Sequence, residues 1–133
     1  MNLKKLAIAT VVIFIVVFAY EWLFHGVLLE GLYERTAELW RPQDTMGGYF
    51  AWLIIGQLLF AFFFVWIYYR YIRIDSMGGG ARFGLALGAL LGATQLIMFA
   101  VQPLLPALVV YWIIGGLVEG ALIGAVAGYL YEA

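Results

Sequence analysis

Cysteine is absent from all 133 residues, so disulfides, thiolate metal sites and cysteine nucleophiles are excluded. Histidine occurs once, as His25, which excludes a haem held by a histidine pair. Charge is scarce as well. Asp, Glu, Lys and Arg make up 11% of the chain and hydrophobic residues 66%, against about 25% charge in soluble domains. With a mean hydropathy of +1.01, most of this chain must have lipid for its solvent. The net charge of −1 gives no argument for a nucleic-acid partner. No Ser/His/Asp set is present, and Gly78–Gly80 lacks the Lys-Ser/Thr that completes a phosphate loop. No catalytic motif and no cofactor are therefore expected.

What is present is long apolar runs. The start, MNLKKLAIATVVIFIVVFAYE, has the basic and apolar parts of a secretory signal, and Val17-Phe18-Ala19 resembles a cleavage site. The apolar run continues through WLFHGVLL, however, so an uncleaved span is expected. Stretches of about 6–29, 48–69, 83–101 and 107–130 each approach the ~20 residues that cross ~30 Å of hydrocarbon. Backbone groups in lipid need internal partners, so these are expected as helices; the strand alternation of a small barrel is missing. The expected fold is an all-α integral membrane four-helix bundle forming one domain, 1–133, with lipid bilayer around it.

The basic residues orient it. Lys4, Lys5, Arg70, Arg73 and Arg82 share one side of a four-span chain, while Arg35 and Arg41 lie among Glu30, Glu34, Glu38 and Asp44 on the other. By the positive-inside rule both termini are cytoplasmic. The segment 30–46 is expected as an interfacial elbow. Leu32, Tyr33, Thr36, Leu39 and Trp40 recur at helical spacing, with i,i+3 and i,i+4 pairs among Glu34, Arg35, Glu38 and Arg41. The sharper alternative makes Glu34, Glu38, Trp40 and Arg41 a surface for an extracytoplasmic partner. IDSMGGGARFG is expected as a cytoplasmic turn and QPLLP as a tight outer hairpin.

Glycine forms two rows at i,i+4: Gly80, Gly84, Gly88 and Gly92, then Gly116, Gly120, Gly124 and Gly128. Lipid supplies no hydrophobic drive between helices, so close backbone approach along small-residue rows takes its place. The last two helices are expected to form a glycine-packed hairpin, with the alternative that one row faces a second copy of the chain.

Each span also carries a polar group near one depth. At about 1.5 Å per residue, Glu119 and Gln57 fall close to mid-span, and Gln95 and Glu21 roughly 5 Å outward. Gln95 points within about 20° of Gly88 and Glu119 about 60° from Gly116, so the two can meet across a close hairpin. An isolated charge at that depth costs about 3 kcal/mol, so a lone carboxyl there is expected to keep its proton unless a cation or water reaches it. Two readings follow. Glu119, Gln95 and Gln57 serve as hydrogen-bonded pegs, or Glu119 and Glu21 form a proton- or cation-binding pair. Glu21 and His25, one turn apart, are also weak metal candidates, but a site needs three or more protein ligands and Glu30 or Glu34 help only if the elbow folds back.

The polar exit of the first span, YEWLFHGVLLEGLYERTAELWRP, followed by a Gly-rich closing hairpin, resembles uncharacterised small bacterial four-helix membrane proteins of the domain-of-unknown-function type. That resemblance implies a bacterial inner-membrane location and no transferable active site. Small multidrug exporters are similar in size, span number and a first-span Glu, at the level of fold analogy alone. The leading expectation is a non-enzymatic structural or accessory subunit, self-associating or docked on a larger membrane complex. The alternative is a small proton- or cation-coupled transporter or channel component.

Overall fold

A computed structural model describes residues 1–131; the last two of the expected domain, 132–133, lie outside the described residues. Helix α1 spans Leu3–Leu23 and runs on through a π-helical turn at Phe24–Leu28 into the short α2, Glu30–Arg35. Two 3-10 turns, Ala37–Leu39 and Gln43–Gly48, lead to α3, Phe50–Ile67, which ends in a second π-helical turn at Tyr68–Ile72. Helices α4, Met77–Val101, and α5, Pro106–Leu130, complete the chain, and no strand occurs among the described residues. Four helical stretches, Leu3–Leu28, Phe50–Ile72, Met77–Val101 and Pro106–Leu130, are long and apolar enough to cross a membrane. Their exteriors suit lipid: Ile15, Leu90 and Val118 are 58%, 66% and 53% exposed.

Three boundaries differ from expectation for local reasons. Helix α4 begins at Met77, because Ser76 Oγ accepts from the Gly79 backbone N–H at 3.2 Å and caps it. The glycines expected in a turn, 78–80, thus lie inside the helix, and the turn shrinks to the few residues before Ser76. At the other end Gln102 turns extended before Pro103, and Pro106 opens α5 where its missing N–H costs nothing. In the elbow, Thr36 Oγ1 bonds back to the Leu32 carbonyl at 2.8 Å, and the chain leaves α-helical geometry at Thr36. The helical register needed for the elbow's charge pairs is thereby lost, and none forms among the described residues. Arg41 lies instead over the Tyr49 ring, 3.6 Å from its centroid.

Helix α1 packs along α3 and touches α5, and α4 and α5 run along each other. Their approach is close: a Cβ built on Gly84 would stand 1.8 Å from the Gly120 carbonyl oxygen, and one on Gly124 would stand 2.1 Å from that of Gly80. The apolar core fills only the half of the molecule that carries the termini. Leu6, Ala9, Ile13 and Val17 of α1 recur every three or four residues against Ala61, Phe64, Val65 and Tyr68, with Ile123 and Ala127 of α5 completing the cluster. Beyond it, toward the elbow, the same stripe of α1 reaches Tyr20, Glu21 and Phe24, and the packing opens.

Candidate functional site

That opening is a cavity of about 380 Å³. α1 supplies Tyr20, Glu21, Phe24 and His25 to its wall, α5 supplies Glu119, α4 supplies Gln95, and Tyr33 and Trp112 lie at its elbow end. Bare glycines make the room. Gly88, Gly92 and Gly116 line the cavity, and a Cβ on Gly116 would meet nothing within 4 Å. Gly115 does the reverse: the Phe24 ring occupies the place of its side chain, with ring carbons 2.3–2.9 Å from the position of a Cβ. Tyr20 stacks on Phe24 and donates its hydroxyl hydrogen to the Gly115 carbonyl at 2.7 Å. This seat fixes α1 against α5 and brings the two acids together.

Glu21 and Glu119 have their carboxyl groups within hydrogen-bonding reach of each other. Two carboxyls in direct contact must hold at least one proton between them, since two carboxylates offer only acceptors. His25 Nε2 lies 3.1 Å from Glu21 Oε2, one helical turn away. The opposite ring nitrogen, Nδ1, is 2.5 Å from the Tyr33 hydroxyl, and Trp112 Nε1 donates to that same hydroxyl at 2.8 Å. One assignment satisfies every atom: Trp112 N–H donates to Tyr33, Tyr33 O–H to His25 Nδ1, His25 Nε2–H to the Glu21 carboxylate, and Glu119 O–H to Glu21. The result is an unbroken polar chain from mid-span in α5 to the elbow.

The elbow is folded to make this chain possible. The π-helical turn at Phe24–Leu28, closed by Leu29 N–H to the Phe24 carbonyl at 3.0 Å, inserts one residue and swings α2 back. Tyr33 then stands beside His25, and Trp40 closes over it, its Nε1 held by Thr36 Oγ1 at 3.0 Å and its ring edge-on to Tyr33 and Trp112. Tyr33 lies outside the spans; burial pushes its phenol above the usual 10.0, opposed by the bond from Trp112, with the nearby Glu21 charge adding to the rise.

Among the residues singled out in the sequence, Glu119, Glu21, Gln95 and His25 share the cavity wall. Glu119 reaches Glu21 on α1, the helix beside it, while Gln95 faces the same space from α4. Gln57 does not line the cavity, and its buried Oε1 has no hydrogen-bond partner. Trp40 is engaged within the chain, whereas Glu34, Glu38 and Arg41 are exposed. No group of three His, Asp or Glu that could hold a metal occurs among the described residues, because neither Glu30 nor Glu34 joins Glu21 and His25. Three members of the site, Tyr33, Trp112 and Gly115, were not legible as such. The paired GG at 115–116, one in the i,i+4 row and one outside it, was the available signal. No known protein family, curated protein or solved structure matches this chain.

Proposed function

We propose that this chain is a small proton-coupled transporter or channel component whose Glu21–Glu119 pair takes up and releases a proton. The observation that supports this reading is the pair itself: two acids from different helices, within hydrogen-bonding reach, on the wall of one cavity. Pegs that only fix register would sit in dry packing. A space of about 380 Å³ between polar side chains has room for on the order of ten waters, and polar cavities of that size are wet. Intramembrane acids facing such a space commonly mark proton and ion pathways.

In this reading the four spans form a bundle in a bacterial inner membrane with both termini cytoplasmic, so the cavity opens in the outer half. The glycine rows of α4 and α5 serve as the rigid wall against which α1 carries Glu21. The His25–Tyr33–Trp112 chain connects the acid pair with the outer interface, and a proton held there exchanges along it.

Reconstituted vesicles test this. With a pH gradient and an entrapped dye, the wild-type protein should dissipate the gradient faster than empty vesicles, and Glu119→Gln should abolish the difference. Infrared spectroscopy of the same samples should show a protonated-carboxyl band that disappears in Glu119→Gln. Neither flux nor band would sink the proposal and leave a structural or accessory subunit, with Glu34, Glu38 and Arg41 as the remaining exposed elbow surface.

A further inference from the structure

A second cavity lies at the opposite end of the molecule, between the start of α1 and the π-helical end of α3. Its volume is about 640 Å³, and Asn2, Lys5, Trp66, Arg70, Arg73 and Tyr131 are among its lining residues. Three cations face it and, among the described residues, no acid does. We propose that this cavity binds the phosphodiester headgroup of an anionic lipid, held by Arg70 and Arg73 with Lys5 on the facing helix.

The backbone supplies the first argument. Arg73 is the only described residue with a left-handed conformation, φ 56 and ψ 34. It occupies the position just past a helix end where glycine is the usual solution, because a Cβ there is strained. Strain of this kind persists where the side chain is needed. The Arg73 backbone N–H closes on the Tyr68 carbonyl at 2.9 Å, and its Nε donates to the Arg70 carbonyl at 3.1 Å. That second bond fixes the guanidinium next to Arg70 and leaves its terminal nitrogens for a planar, two-oxygen partner, which a phosphate provides.

Position supplies the second. Trp66 is of the type that anchors at the membrane–water interface, and it stands at the apolar edge of the cavity. A ligand here has its charge among arginines and its remainder beside a lipid-facing helix, which describes a headgroup better than a free anion. This end also carries five of the seven basic residues, Lys4, Lys5, Arg70, Arg73 and Arg82, and basic pockets beside spanning helices recognise anionic headgroups. The site is separate from the acid pair, and neither proposal depends on the other.

Native mass spectrometry of the full chain tests this, with phosphatidylglycerol and phosphatidylcholine offered in equal amounts in detergent. Phosphatidylglycerol should be retained preferentially. Arg73→Gly, which removes the charge and relieves the backbone, and Arg70→Gln should each reduce that preference about fivefold. Thermal stability in phosphatidylcholine should hold or rise for Arg73→Gly. Equal retention of the two lipids, or an unchanged preference in both variants, overturns the site. Inorganic phosphate is the third arm: if it alone stabilises the delipidated wild type as phosphatidylglycerol does, and fails to do so in Arg70→Gln, the ligand is a free anion and the lipid assignment falls.

Discussion

Tyr33 carries two hydrogen bonds on one oxygen, and its hydroxyl is the sole link between His25 Nδ1 and Trp112 Nε1 among the described residues. Tyr33→Phe keeps the ring that packs edge-on to Trp40 and removes only that oxygen. Each bond is worth about 1 kcal/mol net, so the variant should lose about 1–2 kcal/mol, read by thermal unfolding in detergent. The same residue gives a pH dependence. In the unfolded chain its phenol ionises near 10.0, whereas burial raises the folded value. Between those points the unfolded state holds fewer protons, so stability falls as pH rises. That contribution is complete below 10.0 and lost through the higher folded value. Wild-type melting temperature should therefore decline more steeply above that pH than that of Tyr33→Phe. Parallel alkaline declines in the two proteins would remove Tyr33 from the buried chain.

At the scale of elements, the α4–α5 contact leaves no room for even one methyl group at its centre. A Cβ on Gly84 or Gly120 would lie 1.8 or 2.2 Å from a facing carbonyl oxygen, and backbone cannot yield as a flexible side chain can. Gly84→Ala should force the helices apart and cost about 1–3 kcal/mol, as overpacking does. Gly56→Ala is the matched control, since a Cβ there meets nothing within 4 Å and alanine is the better helix former. Its melting temperature should hold or rise. Equal effects from the two substitutions would show that the glycine row does not set the helix spacing. These elements also show how far the sequence could be read. The i,i+4 glycines and the 20-residue apolar runs are local patterns, so both were visible. Glu21 and His25, four apart on one helix, were readable as a pair for the same reason. The partner of Glu119 was not, because it depends on α1 seating Phe24 in the gap at Gly115, a contact 91 positions apart in the chain. The fold-back of Tyr33 was hidden likewise, since it follows from one π-helical turn and the Thr36 bond to Leu32.

The whole molecule divides into a packed half and a hollow half along the helix axes. Leu6 to Val17, Ala61 to Tyr69 and Ile123 with Ala127 fill the half next to the termini, and the acid pair occupies the other. A proton entering from the elbow side finds polar groups down to Glu119 and then meets Ile123, Leu87 and the aromatic layer of Phe64 and Phe83, whose ring centroids are 6.2 Å apart. One-sided access follows, so orientation in the membrane decides which compartment the acids sense. The absence of cysteine makes that orientation measurable with single substitutions. Asp44→Cys places a thiol in the elbow segment and Asp75→Cys in the turn before α4, both in exposed positions. Five basic residues lie on the side of Asp75 and two on that of Asp44, which by the positive-inside rule keeps the former in the cytoplasm. An impermeant maleimide added to intact cells should therefore label Asp44→Cys at once and reach Asp75→Cys only after the membrane is opened. The opposite pattern would invert the protein, turning the cavity and the His25–Tyr33 chain toward the cytoplasm and the arginine-lined pocket outward.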